Sequence, residues 1–200
     1  MKNYFTILSQ NLRGTLTGTT WEDALRACRF RKTHIACFQE INLKRGDPRI
    51  QRLESVAKRE GFTPHFTFTN GAVGGTATLV ADTVKCSHTD FRTACKGSCG
   101  VLTLTIPELC TPSHKIRVVN IYGSQNGSER DAQFKTLSRH VNKWTTLVGD
   151  FNVVLSESLD VRRTSTSPYP TAGADELLHL ERRHVGARWR ARPPNRAGRA

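Results

Sequence analysis

Four places in the sequence set polar or charged residues directly after a short apolar run: Ser9-Gln10-Asn11-Leu12-Arg13-Gly14, Phe38-Gln39-Glu40-Ile41, Asn120-Ile121-Tyr122-Gly123 and Val148-Gly149-Asp150-Phe151-Asn152. Apolar runs of this length read as strands. Strand ends are rigid, so groups carried there can converge on a shared cleft without loop entropy spreading them apart. Glu40 and Asp150 are carboxylates, the oxygen ligands that a hard cation such as Mg2+ or Mn2+ prefers. Asn11, Tyr122 and Asn152 are neutral donors that orient a phosphate without placing negative charge beside it. Singly these signals are weak: Gln-Glu after a strand is more often a helix cap, and Gly-Asp more often a turn. The ordered combination is much less expected by chance.

Bringing those groups together takes many strands. The apolar pattern predicts strands over 4–8, 34–38, 63–69, 75–81, 85–91, 100–106, 115–122 and 145–149. Thr20 is the expected cap of a helix through Trp21, Leu25 and Cys28, with Glu22 and Asp23 near its positive end. Ile50, Leu53, Val56 and Ala57 recur at helical spacing, with Gly61 as the stop. Further helices are expected over 129–144 and 175–184, the last with Leu177, Leu178 and Leu180 on one side. Strands outnumber helices and often follow one another directly. That argues for antiparallel sheets in a mixed α/β sandwich rather than a parallel βαβ fold.

Thirty Lys+Arg against seventeen Asp+Glu give a formal net charge of +13, and the pI is near 10.0. This balance favours a polyanionic partner, nucleic acid above all. Residues 1–160 hold twenty-one Lys+Arg and fourteen Asp+Glu, while 161–200 hold nine and three, so a fifth of the chain carries almost half the excess. A boundary near Asp160 follows, with a domain over 1–160 and a tail over 161–200. The tail consists of a Ser/Thr/Pro loop, a short helix and an arginine-rich end containing Trp189. On composition that end is a solvated terminus rather than a phosphate-binding arm. No apolar stretch reaches the roughly 18 residues of a membrane span. The first ten residues turn polar too soon for a secretory signal, so an intracellular, possible nuclear, location and reduced cysteines are expected.

Several residues carry the strongest motif evidence: Asn11-Leu12-Arg13-Gly14, Gln39-Glu40, the strand Gly74-Gly75-Thr76-Ala77-Thr78-Leu79-Val80, Val118-Val119-Asn120-Ile121-Tyr122, Ser128-Glu129-Arg130 with Phe134 and Leu137, and Gly149-Asp150-Phe151-Asn152 with Leu159-Asp160. At these residues the chain resembles the endonuclease/exonuclease/phosphatase superfamily, which includes deoxyribonuclease I. Within it the chain looks most like the endonuclease domain of LINE-type (non-LTR) retrotransposons. Gly-Asp-Phe-Asn after an apolar strand is the most specific of these motifs. The resemblance implies a four-layer αββα sandwich of two mostly antiparallel sheets flanked by helices. It also implies hydrolysis of a DNA phosphodiester by in-line water attack with a divalent cation, Mg2+ or Mn2+. Carried over by position, Glu40 resembles the main metal ligand. Asp150 resembles the group handling the proton of water or leaving oxygen, close to the same ion. Asn152 resembles the residue orienting water or phosphate, Tyr122 a phosphate contact, and Asn11 an organiser of the site. Arg13, Lys44, Arg45 and Asn120, in or beside these segments, are the candidate nucleic-acid contacts.

Three departures stand out. No Asp-His pair follows Asp150, although the family carries a Ser-Asp-His type motif there; Tyr-x-Pro is replaced by Tyr122-Gly123-Ser124; and Ala187 stands where the family has Asp before Trp189 and Arg190. The expectation is a domain incomplete at its C-terminus and an impaired nuclease. The alternatives are a catalytically dead, basic nucleic-acid-binding remnant and a phosphatase of the same superfamily. Neither a membrane nor an obligate protein partner is expected. Cys86, His88, Cys95 and Cys99 match no common zinc spacing and read as buried or half-exposed thiols. Cys28 and Cys37 read as core, Trp21 and Trp144 as packing at helix ends, and Asn70-Gly71 as a turn.

Overall fold

The computed structural model describes residues 5–14, 16–69, 73–107, 115–155 and 171–184. In chain order its elements are β1 (Ile7–Asn11), α1 (Gly18–Phe30), β2 (Ile35–Gln39), α2 (Arg49–Arg59), β3 (Phe62–Phe66), β4 (Thr76–Ala81), β5 (His88–Ala94), β6 (Cys99–Thr105), β7 (Ile116–Tyr122), α3 (Gly127–Leu137), β8 (Thr145–Asp150) and α4 (Ala174–His184). The first sheet has the order β1-β2-β4-β3 and the second β5-β6-β7-β8. The pairs β1/β2 and β7/β8 are parallel and the other four antiparallel. Among the described residues, no helix is long and apolar enough to cross a membrane.

Strand alternation sorts the apolar side chains into three layers of core. Ala36, Phe38, Ala77 and Leu79 face outward from the first sheet and meet Trp21, Leu25 and Cys28 of α1 and Leu53, Val56 and Ala57 of α2. Trp21 is almost fully buried, and its indole N–H donates to Leu53 O at 3.1 Å. Val101, Val119, Ile121 and Leu147 face outward from the second sheet and meet Phe134 and Leu137 of α3 with Leu177 and Leu180 of α4. Ile35, Cys37 and Val80 meet Leu102, Leu104 and Val118 between the sheets. The result is the expected αββα sandwich, and α4 is part of its outer layer.

The space between the sheets changes character along its length. Reading the inner face of each strand toward one end gives Ile7-Ser9-Asn11 on β1, Ile35-Cys37-Gln39 on β2, Val80-Thr78-Thr76 on the antiparallel β4, and Val118-Asn120-Tyr122 on β7. Apolar packing thus gives way to hydrogen bonding toward the strand ends singled out by sequence. Asn120 lies in that gradient, fully buried. Its Nδ2 donates to Ala77 O at 3.0 Å, Phe38 O at 3.2 Å and Thr78 Oγ1 at 3.2 Å, while its Oδ1 accepts from Gln39 Nε2 at 2.7 Å. The expectation that Asn120 contacts nucleic acid is therefore corrected. Its carboxamide is spent inside the protein as a latch between the sheets.

Other expectations shift by a few residues. β1 begins at Ile7 because its parallel register on β2 (Ile7 opposite Ile35), not local hydrophobicity, sets its limits. Thr17, not Thr20, caps α1, accepting from the Thr20 N–H at 3.4 Å. Asn126 caps α3, which ends at Leu137 rather than running on to Trp144. Trp144 therefore precedes β8 rather than ending a helix, and it is 45% exposed. Burial raises the Cys28 thiol to about 11, and it raises Cys37 further, as expected of core cysteines. The boundary at Asp160, the Ser/Thr/Pro loop, the arginine-rich end with Trp189, Leu159-Asp160 and Asn70-Gly71 lie outside the described residues.

Replacing Asn120 by Ala should remove a fully buried side chain together with its bonds to both β2 and β4. Urea unfolding should show a loss of about 1–3 kcal/mol for this one change, more than an exposed Asn→Ala would cost.

Candidate active site

Gln39 is the last residue of β2 and its side chain points between the sheets, where it donates to Ser9 Oγ at 3.1 Å as well as to Asn120. A further extended residue would turn Glu40 to the opposite, helix-covered face. Instead Glu40 takes φ +58°, a left-handed conformation that non-glycine residues rarely adopt. The carboxylate then stays at the edge between the sheets and accepts from the Tyr122 hydroxyl, Oη to Oε1 2.9 Å. The backbone turn is held from both sides: Gly14 N–H donates to Glu40 O at 2.8 Å, and Leu12 N–H to Gln39 O at 3.0 Å. Asn42 fixes the next turn by accepting from Gly74 N–H at 2.8 Å.

Asp150 ends β8 opposite Tyr122 in the parallel register. Its Oδ2 accepts from Asn11 Nδ2 at 2.7 Å, and its Oδ1 from the Asn152 N–H at 3.1 Å. Asn11 is oriented in turn by the Arg13 N–H, which donates to its Oδ1 at 2.7 Å. Asn152, at φ +49°, donates from Nδ2 to Gly123 O at 2.7 Å. Gly123 is required here: a Cβ would strike the Phe151 carbonyl, so glycine lets the two loops after β7 and β8 close on each other. Gly149 answers the same need inside β8, where its φ of +141° brings it against the backbone of Ile121.

The five residues singled out as catalytic or metal-binding thus meet at one end of the sandwich. Asn11 and Glu40 come from the first sheet, Tyr122, Asp150 and Asn152 from the second. All but Tyr122 are half-buried, and Tyr122 is 6% exposed. Burial, the bond to Glu40, and the charges of Glu40 and Asp150 push the Tyr122 phenol up to about 12. It is a donor at neutral pH and cannot serve as a base.

Arg13, Lys44 and Arg45 are exposed in the loops following β1 and β2. Arg45 also lines a cleft of about 280 Å3 with Phe68, Thr93, Cys95 and Lys96. The cleft's single 3-10 turn, Cys95–Gly97, adjoins the site, because Tyr122 N–H donates to Ser98 O at 2.9 Å. Sequence reasoning missed Lys96 at this rim. It also missed Gln133, whose side chain donates to Ser98 Oγ and accepts from Ser124 N–H, both near 2.8 Å (2.7 and 2.8). Only the glycine after Lys96 hinted at a turn here. The Cys95 and Cys99 thiols pair with each other, which lowers the proton affinity of the first and raises that of the second, but Cys86 and His88 do not join them in one group. Among the described residues no three His, Cys, Asp or Glu side chains gather as a metal cage. Two half-buried carboxylates among neutral donors fit Mg2+, which keeps several waters and takes one or two carboxylates.

No protein-family model matches the chain, and no curated protein matches it. Solved structures do. The AP endonuclease of Archaeoglobus fulgidus matches at 16% identity over 88% of this chain and 71% of its own, with a TM-score of 0.62. The AP endonuclease LMAP of Leishmania major matches at 17% identity over 90% and 66%, with a TM-score of 0.67. The endonuclease domain of TRAS1, a telomere-specific non-LTR retrotransposon, matches at 18% identity over 88% and 70%, with a TM-score of 0.55. The chain spans about two thirds of the length of the Leishmania enzyme and slightly more of the other two. The chain shares its fold with these endonucleases.

The left-handed backbone at position 40 yields a direct test. Both Glu40→Gly and Glu40→Ala remove the bond to Tyr122, but only alanine keeps the steric strain. The glycine variant should be the more stable of the two by about 1 kcal/mol in urea unfolding, the reverse of the order inside an ordinary strand.

Proposed function

We propose that the chain is a divalent-metal-dependent phosphodiester hydrolase acting on DNA, an endonuclease of the kind carried by non-LTR retrotransposons. The observation that supports this most strongly is the meeting of Glu40 and Asp150 at one end of the sandwich, each held by a donor from the opposite sheet. Similarity of fold to AP endonucleases and to the TRAS1 endonuclease supports the same reading. Glu40, with Asp150 beside it, would hold the cation, which when bound withdraws charge from the phosphoryl oxygens and stabilises the developing oxyanion.

The protein groups divide the remaining work. Asp150 takes the proton of the attacking water. Both of its oxygens already accept one N–H, which fixes the carboxylate plane, and each retains a lone pair for the water. Asn152, its carboxamide anchored on Gly123 O, orients water or a phosphoryl oxygen. Tyr122 has a single hydroxyl proton and gives it to Glu40, so it positions that carboxylate; donating to a phosphate requires this bond to open. Arg13, Lys44, Arg45 and Lys96 carry the charge that attracts the backbone of the nucleic acid. Among the residues gathered at the site, Asp150 is the group placed to take a proton, and no Asp-His pair follows it within these 200 residues. Loss of one general acid–base partner costs on the order of 10²–10⁴ in rate.

The second reading, a basic nucleic-acid binder without turnover, is favoured by the net charge of +13. One assay separates the two. Purified chain incubated with supercoiled plasmid and Mg2+ should convert it slowly to open circles, and both EDTA and Glu40→Ala should stop the conversion. Nicking that survives either treatment would refute the assignment. Salt-sensitive binding with no product at any enzyme concentration would establish the second reading instead.

A further inference from the structure

The hairpin of β5 and β6 closes beside the candidate active site and carries two thiols. Ala94 opposite Cys99 is the last pair of its ladder, so Cys95 opens the turn and Cys99 begins the returning strand. Cys99 is fully buried among Val101, Val119 and Phe134, and Cys95 packs against the same apolar group. The two side chains meet there and are hydrogen-bonded to each other. The Cys95 thiol also reaches Gln133 O, to which it donates at 3.6 Å.

The turn between them is held in an unfavourable shape. Cys95 takes φ +51° and Lys96 φ +54°, left-handed values that side chains other than glycine's rarely adopt. Thr67 Oγ1 donates to Gly97 O at 2.6 Å and Ser98 N–H to Cys95 O at 3.2 Å, which keeps the turn closed. Its outer side is accessible: Cys95 is half-buried and lines the cleft together with Arg45 and Lys96. Cys28 and Cys37 differ, since both are buried in the apolar core, where burial holds them as thiols. An S–H donor and two cations around one accessible sulfur favour its thiolate, the reactive form. A zinc site is a poorer fit, because two thiols fall short of four ligands and among the described residues no third His, Cys, Asp or Glu joins them.

We propose that Cys95 and Cys99 form a redox couple, in which Cys95 reacts with hydrogen peroxide and Cys99 resolves the product to a disulfide. The Cys95 thiolate attacks one peroxide oxygen and breaks the O–O bond. Cys95 becomes a sulfenic acid, and the departing hydroxide takes up the proton that Cys95 had released, leaving as water. The Cys99 thiol then attacks the sulfenic sulfur; the S–S bond forms, the S–O bond breaks, and a second water carries away the Cys99 proton. Two thiols are thus oxidised by two electrons while one peroxide is reduced to two waters. Cys99 needs no access of its own, because it already touches Cys95. The bond forms next to Ser98, whose carbonyl accepts the Tyr122 N–H at 2.9 Å, so oxidation acts on backbone that supports the candidate active site.

The test exposes the whole reduced chain to hydrogen peroxide, quenches with catalase, alkylates the remaining thiols in denaturant and maps the tryptic peptides by mass spectrometry. Trypsin cuts after Lys96, between the two cysteines, so a disulfide joins two peptides that dithiothreitol separates again. Cys95 and Cys99 should lose alkylation together, at least about tenfold faster than Cys28 or Cys37. In Cys99→Ala, Cys95 should stop at the sulfenic acid and be captured by dimedone; in Cys95→Ala, Cys99 should stay a thiol. Cys110→Ser, which removes the other cysteine of the second peptide, should leave the link intact. Oxidation of Cys95 without loss of the Cys99 thiol overturns the proposal, and so does a link that vanishes in Cys110→Ser. Loss of Cys95 no faster than that of Cys28 also overturns it. Neither DNA nor a cation enters the assay, so its failure and failure of the hydrolase reading are distinguishable.

Discussion

A seam of hydrogen bonds across the two sheets organises the molecule. Asn11 to Asp150, Gln39 to Asn120 and Tyr122 to Glu40 each link a residue of the first sheet to one of the second, and all three lie at one end of the sandwich. Elsewhere the sheets meet through apolar contact, which is non-directional and tolerates sliding. Hydrogen bonds at 2.7–2.9 Å do not tolerate it, because a buried amide or phenol that loses its partner keeps the cost of desolvation. The apolar end therefore provides most of the burial, and the polar end provides the register. Fixing that register is also what brings two carboxylates from distant parts of the chain to the same edge.

Conformational strain gathers at the same edge. Arg13, Glu40, Asn42 and Asn152 all have positive φ. Asn tolerates this region, but Arg and Glu gain nothing from it locally. The neighbouring bonds from Leu12 and Gly14 hold the turns in place. A chain selected for stability alone would carry glycine at position 40; under the proposed function glutamate there serves as a ligand, at a cost in stability. Gly123 and Gly149 make the complementary allowance, letting backbone approach backbone so that Asp150 and Asn152 sit close to Tyr122.

The layers of the fold were legible in the sequence because they follow from short apolar runs such as Thr76–Ala81 and from a period-3.6 pattern in segments such as Arg49–Arg59. So were the strand ends bearing Asn11, Glu40, Tyr122, Asp150 and Asn152, since an apolar run followed by polar residues survives in one dimension. Element limits were less legible. The register of β1 is set by β2, and the early end of α3 depends on a turn before Trp144, neither of which composition encodes. Asn120 shows the sharper limit. A polar residue in an apolar strand reads as a surface contact until the facing sheet is known, and that sheet makes it a buried latch. Lys96 and Gln133 gave no signal beyond the glycine after Lys96, because their placement depends on how the turn after β5 closes on α3.

The claim on which everything rests is that Glu40 and Asp150 act together on one cation. Titration of the chain with Mn2+, reading the unbound ion by electron paramagnetic resonance, measures this without any substrate. The account predicts one bound ion per chain, a large loss of affinity in Glu40→Gln and in Asp150→Asn, and a double variant little worse than either alone. Unchanged affinity in either single variant, or losses that simply add in the double variant, would show that the two carboxylates do not share an ion.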